Sequence, residues 1–290
     1  MAWQVRVKLG SGRERKLAGA ALIGIAVLAG VGFALSSRSG AATQASLTVN
    51  LPPAFNDRIY SLPMARGRPI VVIDAGHGGR DPGARSISGE IVEKDLTLAL
   101  ARELRDDLVK RGRVRVAMTR DDDRYLTLED RAAVARRLNA GMFVSLHMDS
   151  APNPLARGAS VYSLSDVASD GEAAHFAALQ NGGASPEAAT GSVQALLSDL
   201  AMRTQMSASA DLASRLVNKS AGRFELRPQP HRFAAFHVLK RAATPAVLFE
   251  AGYISNIDDE ALLRSPEHRS DVALALAQAI EADVAARSRH

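Results

Sequence analysis

The sequence predicts an α/β fold: a single three-layer domain in which a mixed, mostly parallel sheet is flanked by helices, preceded by an N-terminal membrane segment and a linker. Two observations predict the domain. Short apolar runs recur at residues 70–73, 142–146 and 245–249, the length and pattern of strands covered on both faces. Between and after them, leucines and alanines recur every third or fourth residue, the period of a helix with one buried face. Strands alternating with such helices build parallel sheets.

The chain has 290 residues, of which 47% are hydrophobic, enough for one good-sized core plus extensions. It contains no cysteine, which excludes disulfides, thiolate metal sites, a cysteine nucleophile and a lipid-modified N-terminal cysteine. Any metal must therefore be held by histidines and carboxylates. The net charge of +5 comes largely from scattered arginines and a basic N-terminus, with no basic stripe interleaved with aromatics, so nucleic acid is not an expected partner.

At the N-terminus, Arg6, Lys8, Arg13, Arg15 and Lys16 precede an uncharged apolar run over residues 17–35. That order reads as an export signal or a single membrane anchor, and assigns residues 1–37 to a signal peptide or signal anchor. The run is longer than the apolar core of most cleaved signals, whereas the small residues at 40–45 suit a signal peptidase, so both readings stand. Either way, the remainder of the chain is exported. Residues 38–68, rich in Ser, Ala, Pro and Gly, read as a linker, and the catalytic domain is expected over 69–287.

The first strand ends in Asp74, Gly76, His77, Gly78 and Gly79, at the carboxyl edge where open α/β sheets hold their ligands. Glu93 then opens a helix on which Leu96, Leu100, Leu104 and Leu108 form one stripe before Gly112 ends it. Val114, Val116 and Met118 alternate as a second strand, and Thr127 caps a helix running to about Leu138. The strand over 142–146 delivers His147 to the same edge as His77. Residues 158–164 read as a further strand, 172–180 as a helical piece, 200–217 as a helix whose methionines fill core space, and FHVLK at 236–240 as a strand, with His237 and Leu239 on one face. The strand over 245–249 delivers Glu250, and an amphipathic helix over 267–286 closes the domain.

Two strands ending in histidine and a carboxylate at a helix start make a set of two imidazoles and one oxygen: His77, His147 and Glu93. That is the donor set of open catalytic zinc sites, in which water holds the fourth position. The competing readings are a Glu93 that only complements the helix dipole and two histidines satisfied separately. Glu250 ends a hydrophobic strand, where a carboxylate is costly to bury unless it meets a cation or a proton donor. Beside a metal it would act as general base; the alternative is a salt bridge to a residue such as Arg241. Asp74, Asp81 and Asp149 are candidates for holding the imidazoles in the correct tautomer, and spacing does not choose among them. His175, His231, His237, His268 and His290 are assigned no metal role.

IDAGHGGRDPGA, EKDLTLALARELRDDL, the Thr119-Arg120 pair, SLHMDS, FHVLK and PAVLFEAGYISN resemble, in order, the successive blocks of the zinc-dependent N-acetylmuramoyl-L-alanine amidases of the AmiC type. The resemblance implies one catalytic α/β domain acting on peptidoglycan in the periplasm or cell envelope, with zinc on His77, Glu93 and His147 and with Glu250 as the catalytic carboxylate. It also implies a regulatory insertion at about 165–199, similar to a helix that covers the zinc until a LytM-type activator withdraws it. Where such a helix carries a Glu that caps the metal this chain has Gln180, a poorer ligand, so Glu172 and Glu187 are the other candidate lid contacts. Two alternatives are a zinc peptidase or deacetylase on the same polymer and a non-catalytic wall-binding regulator. The second should lack one of the four site residues, and all four are present.

Overall fold

The computed structural model of the chain describes residues 57–182 and 193–288. The N-terminal segment 1–37, most of the linker and Glu187 lie outside the described residues. Within them a seven-stranded sheet carries the domain. Its strands are β1 (Ile59–Tyr60), β2 (Ile70–Ala75), β3 (Arg115–Met118), β4 (Met142–Asp149), β5 (Ala159–Leu164), β6 (Leu226–Ala234) and β7 (Ala246–Tyr253). They lie in the order β1-β3-β2-β4-β7-β5-β6. The β3-β2-β4-β7 block is parallel, β5 runs antiparallel to β7, and β6 runs parallel to β5. The mixed, mostly parallel sheet is as expected.

Helices α1 (Glu93–Arg111), α2 (Leu128–Arg137), α3 (Gly171–Gln180), α4 (Val193–Ser220), α5 (His237–Arg241), α6 (Ile257–Arg264) and α7 (Pro266–Arg287) complete the layers. None of the described helices is long and apolar enough to cross a membrane. The local signals work as physics predicts. Thr127 and Asp130 form a reciprocal capping box at the start of α2, and Gly112 closes α1 in the left-handed conformation (φ 66°).

Side-chain alternation along the strands decides where the site lies. On one face Val71, Ile73, Ala75, Val144, Leu146, Val247 and Phe249 are apolar throughout and pack under α1, α7 and the end of α4. The other face begins the same way, with Val72, Phe143 and Leu248 against α2, α3 and α5. Two residues further along each strand it turns polar: Asp74 follows Val72, Ser145 and His147 follow Phe143, and Glu250 follows Leu248. These polar groups are buried at the carboxyl end of the parallel block.

Two expectations need correction. The linker does not reach residue 68, because Ile59 and Tyr60 pair antiparallel with β3 and Asp57 bridges Arg137 at 2.6 Å. The FHVLK segment is not a strand: His237–Arg241 is a short helix, so His237 and Leu239 do not share a strand face. The strand of that region is β6, whose LRPQPHRFA sequence carries two prolines. Pro cannot donate to a ladder, and β6 accommodates both because it is the sheet's edge.

Candidate metal centre

His77 follows β2 with a left-handed backbone (φ 59°), a conformation uncommon for a non-glycine residue. Its Nδ1 lies 2.9 Å from Asp81 Oδ2, while Asp81 Oδ1 accepts from the Gly83 amide at 3.1 Å. Asp81 therefore fixes the tautomer that leaves Nε2 free to bind a cation. That Nε2 is buried and makes no hydrogen bond, although it lies 3.0 Å from Glu93 Oε2.

Glu93 begins α1 but does not serve its own helix end. Its Oε1 lies 2.9 Å from His147 Nδ1 and accepts from the Met148 amide at 3.1 Å, and its Oε2 accepts from the Ala84 amide at 2.9 Å. The two imidazoles meet edge to face with centroids 4.9 Å apart. One donor atom from each of His77, Glu93 and His147 falls within 4.8 Å of the others. Two imidazoles, one carboxylate and an orphaned, buried ring nitrogen fit a zinc ion. Gly76 and Gly83 make this packing feasible: a Cβ on Gly76 would stand 2.4 Å from His147 Cε1, and one on Gly83 would stand 2.5 Å from Glu93 Oε2.

The electrostatics follow from burial and these contacts. Burial alone would raise Glu93, but the hydrogen bond from His147 and the charge of both imidazoles hold it well below the usual carboxylate range. Burial works to lower His77, yet Glu93 and Asp81 outweigh it and raise this imidazole. His147 is lowered because its burial exceeds the help from Glu93.

Glu250 is fully buried and stands in register with His147 on β4 and with Ser160 on β5. Neither carboxylate oxygen has a partner, and Arg241, the alternative expected from the sequence, instead faces Glu129 at 3.7 Å. Burial, reinforced by the negative charges of Asp149 and Glu93, pushes Glu250 well above the ordinary range.

Of the three aspartates, only Asp81 touches an imidazole. Asp74 accepts from Thr119 Oγ1, Arg131 Nη1 and Ser145 Oγ at 2.7, 2.8 and 2.7 Å. Asp149 is pushed up to about 6, chiefly by burial against the hydrogen bonds of Tyr253 and the Ser150 amide. A cavity of about 370 Å³ opens over His77 and His147, with Tyr125 on one side and Leu179 and Gln180 at the end of α3 on another. Glu172, at the start of α3, turns to Arg227 at 3.1 Å and to the Tyr253 hydroxyl at 3.2 Å, not to His77, Glu93 or His147.

Two buried arginines at the base of the site were not singled out from the sequence: Arg120 and Arg131. Arg120 had a signal, since the Thr119-Arg120 pair is one of the amidase-like blocks. Arg131 had none beyond a charge among the alanines of α2.

A family model described as N-acetylmuramoyl-L-alanine amidase matches residues 71–282. The chain is 33% identical over 230 residues to the N-acetylmuramoyl-L-alanine amidase AmiA of Escherichia coli K12, covering 76% of this chain and 79% of that one. It is 34% identical to the AmiC enzyme of Neisseria meningitidis serogroup B over 74% of its length, but spans only 52% of that longer protein. Among solved structures, the catalytic domain of CwlV, an N-acetylmuramoyl-L-alanine amidase from Bacillus (Paenibacillus) polymyxa, matches 73% of this chain and 96% of its own, with 30% identity and a TM-score of 0.57.

Proposed function

The chain belongs to the N-acetylmuramoyl-L-alanine amidase family and hydrolyses peptidoglycan, and we propose that it does so with zinc on His77, Glu93 and His147 and with Glu250 as the catalytic carboxylate. The observation that carries this reading is the convergence of the three donors beside a buried carboxylate that has no partner of its own. The scissile bond joins the lactyl group of N-acetylmuramic acid to L-alanine.

When bound, zinc supplies a Lewis acid that polarises the lactyl carbonyl and makes water acidic enough to react near neutral pH. Asp81 keeps His77 in its metal-binding tautomer, and the Met148 and Ala84 amides hold Glu93 in place. Glu250 accepts the proton of the attacking water. As the C–N bond breaks, it passes that proton to the departing L-alanine nitrogen, leaving a free carboxylic acid on the sugar and a free amine on the stem peptide.

The same reading assigns export to the basic and apolar N-terminus, so catalysis takes place in the periplasm or cell envelope, with a membrane anchor if that segment is retained. It assigns regulation to the 165–199 segment, whose Leu179 and Gln180 border the cavity, with a LytM-type protein as activator and daughter-cell separation as the process served.

The test is digestion of sacculi by the full chain and by Glu250→Ala, with metal content measured on both. Intact stem peptides carrying a free L-alanine amine, and a variant that keeps its metal but hydrolyses nothing, are expected. Acetate or truncated stem peptides would identify a deacetylase or a peptidase instead, and undiminished hydrolysis by the variant would remove Glu250 from the role of general base.

A further inference from the structure

Three consecutive carbonyls, those of Ala75, Gly76 and His77, leave β2 with no sheet partner to accept from. Buried carbonyls of this kind must be met by donors from elsewhere. Both arginines at the base of the site meet them. Arg131, 4% exposed, reaches from α2 and donates from Nη1 to Ala75 O at 2.7 Å and to Asp74 Oδ1 at 2.8 Å, and from Nη2 to His77 O at 2.6 Å. Arg120, 2% exposed, follows β3 and donates from Nε to Ala75 O at 2.9 Å. Its Nη2 is shared between Gly76 O and Lys94 O, both at 2.8 Å.

That sharing is the informative contact. Gly76 adjoins His77 and Lys94 adjoins Glu93, so one guanidinium nitrogen ties together the backbones that carry two of the three donors. Thr97 Oγ1 adds a further donor to Gly76 O at 2.9 Å, and Arg120 Nη2 lies 3.0 Å from it. The loop is pressed against this clamp: a Cβ on Gly78 would stand 3.0 Å from Arg120 Nε. The left-handed backbone of His77 (φ 59°) lies within the clamped segment.

We propose that Arg120 and Arg131 are positioning residues for the metal. By holding the 75–77 carbonyls and the start of α1 they set the separation of His77 from Glu93, and hence the affinity and geometry of the site. Each acts through the backbone that carries a metal ligand. A lysine cannot replace them, because one ammonium cannot span carbonyls that the flat five-donor fork reaches together. This inference rests on the metal reading of His77, Glu93 and His147.

The test measures Zn2+ affinity by competition with a chromophoric chelator, and the visible spectrum of the Co2+ form, on the full chain. Arg120→Lys and Arg131→Lys are expected to bind zinc about 10–100-fold more weakly, the loss typical of partners that orient metal ligands, and to shift the cobalt spectrum. Thr97→Val, which removes a single donor from Gly76 O, is the mild variant and is expected to lose about fivefold. Ser209→Ala is the control. Its hydroxyl is buried in α4 against the Ala246 amide, so the change should lower Tm and leave zinc affinity unaltered.

Should an arginine variant fail to fold, the affinity of Thr97→Val decides. Arginine or threonine variants that bind zinc as the unaltered chain does would overturn the clamp alone. An unaltered chain that binds no zinc would overturn the metal reading and the clamp together.

Discussion

His147 and Glu250 stand opposite each other on β4 and β7, the first beside a carboxylate and the second with no partner at all. A buried carboxylate in that state opposes folding, because its oxygens have lost water and gained nothing. Glu250→Gln is equally unpartnered but cannot ionise, so it is spared the cost of keeping an acid protonated or charged in a dry site and should stabilise the metal-free protein by about 1–3 kcal/mol at pH 7. For a domain of this size that raises Tm by roughly 5 °C, while hydrolysis falls about 10²–10⁴-fold. Thermal melts with a chelator present check the first half and sacculus digestion the second. A lower Tm in the variant would mean that Glu250 supports the fold and is not held against its preference for catalysis.

Gly76 and Gly89 separate crowding from backbone strain. A methyl group on Gly76 would meet the His147 ring at 2.4 to 2.8 Å, whereas Gly89 (φ 77°) has nothing within 4 Å of such a group. Gly76→Ala should displace the imidazole and reduce turnover by about 10²-fold, the cost of misplacing a reacting group by about an ångström. Gly89→Ala should cost about 1 kcal/mol of stability through its left-handed backbone and keep its turnover. Equal activity in the two variants would show that contact with His147 is not what keeps position 76 small.

The convergence of His77, Glu93 and His147 beside Glu250 was legible because each signal is local: an apolar run or helix start followed by a ligand-type side chain at the sheet's carboxyl edge. What was not legible depends on pairing across the sheet. β6 carries two prolines, which argue against a strand until its edge position is known. His237–Arg241 has the apolar content of a strand but coils as a single turn of helix under Leu248, where the start of β7 already occupies the sheet. Asp81 could not be told from Asp74 because the choice turns on which carboxylate the loop folds back onto His77. Arg131 gave no sign of its role, since its partners lie more than fifty residues away in sequence.

Tyr60 tests where the linker ends. Its ring lies under the guanidinium groups of Arg58 and Arg105, at 4.6 and 4.9 Å, and its hydroxyl donates to Asp121 at 2.6 Å. Tyr60→Ala should cost about 2–5 kcal/mol, the sum of one hydrogen bond to a charged group and two partly exposed cation–π contacts. Urea unfolding would measure it. An unchanged midpoint would return residues 57–60 to the linker.

Asp74 controls the acid limb of stability. Burial would raise its pKa, but the charge of Arg131 and the hydrogen bonds from Ser145, Arg131 and Thr119 overcome burial and hold it below the ordinary value. A carboxylate depressed in the folded state contributes stability that is fully present above its unfolded pKa of about 3.9 and is lost as the pH falls through the folded value. Near pH 7, Asp74→Asn leaves Arg131 buried without its counter-charge and should cost about 3–5 kcal/mol. Below about pH 4 the unfolded chain takes up a proton that folded Asp74 still resists, so the gap should narrow progressively and close only once the pH falls below the depressed folded value. Urea midpoints at pH 7, 5, 4 and 3 give the comparison. A gap that stays constant down to pH 3 would show that the amide's shape, and not the missing charge, causes the loss.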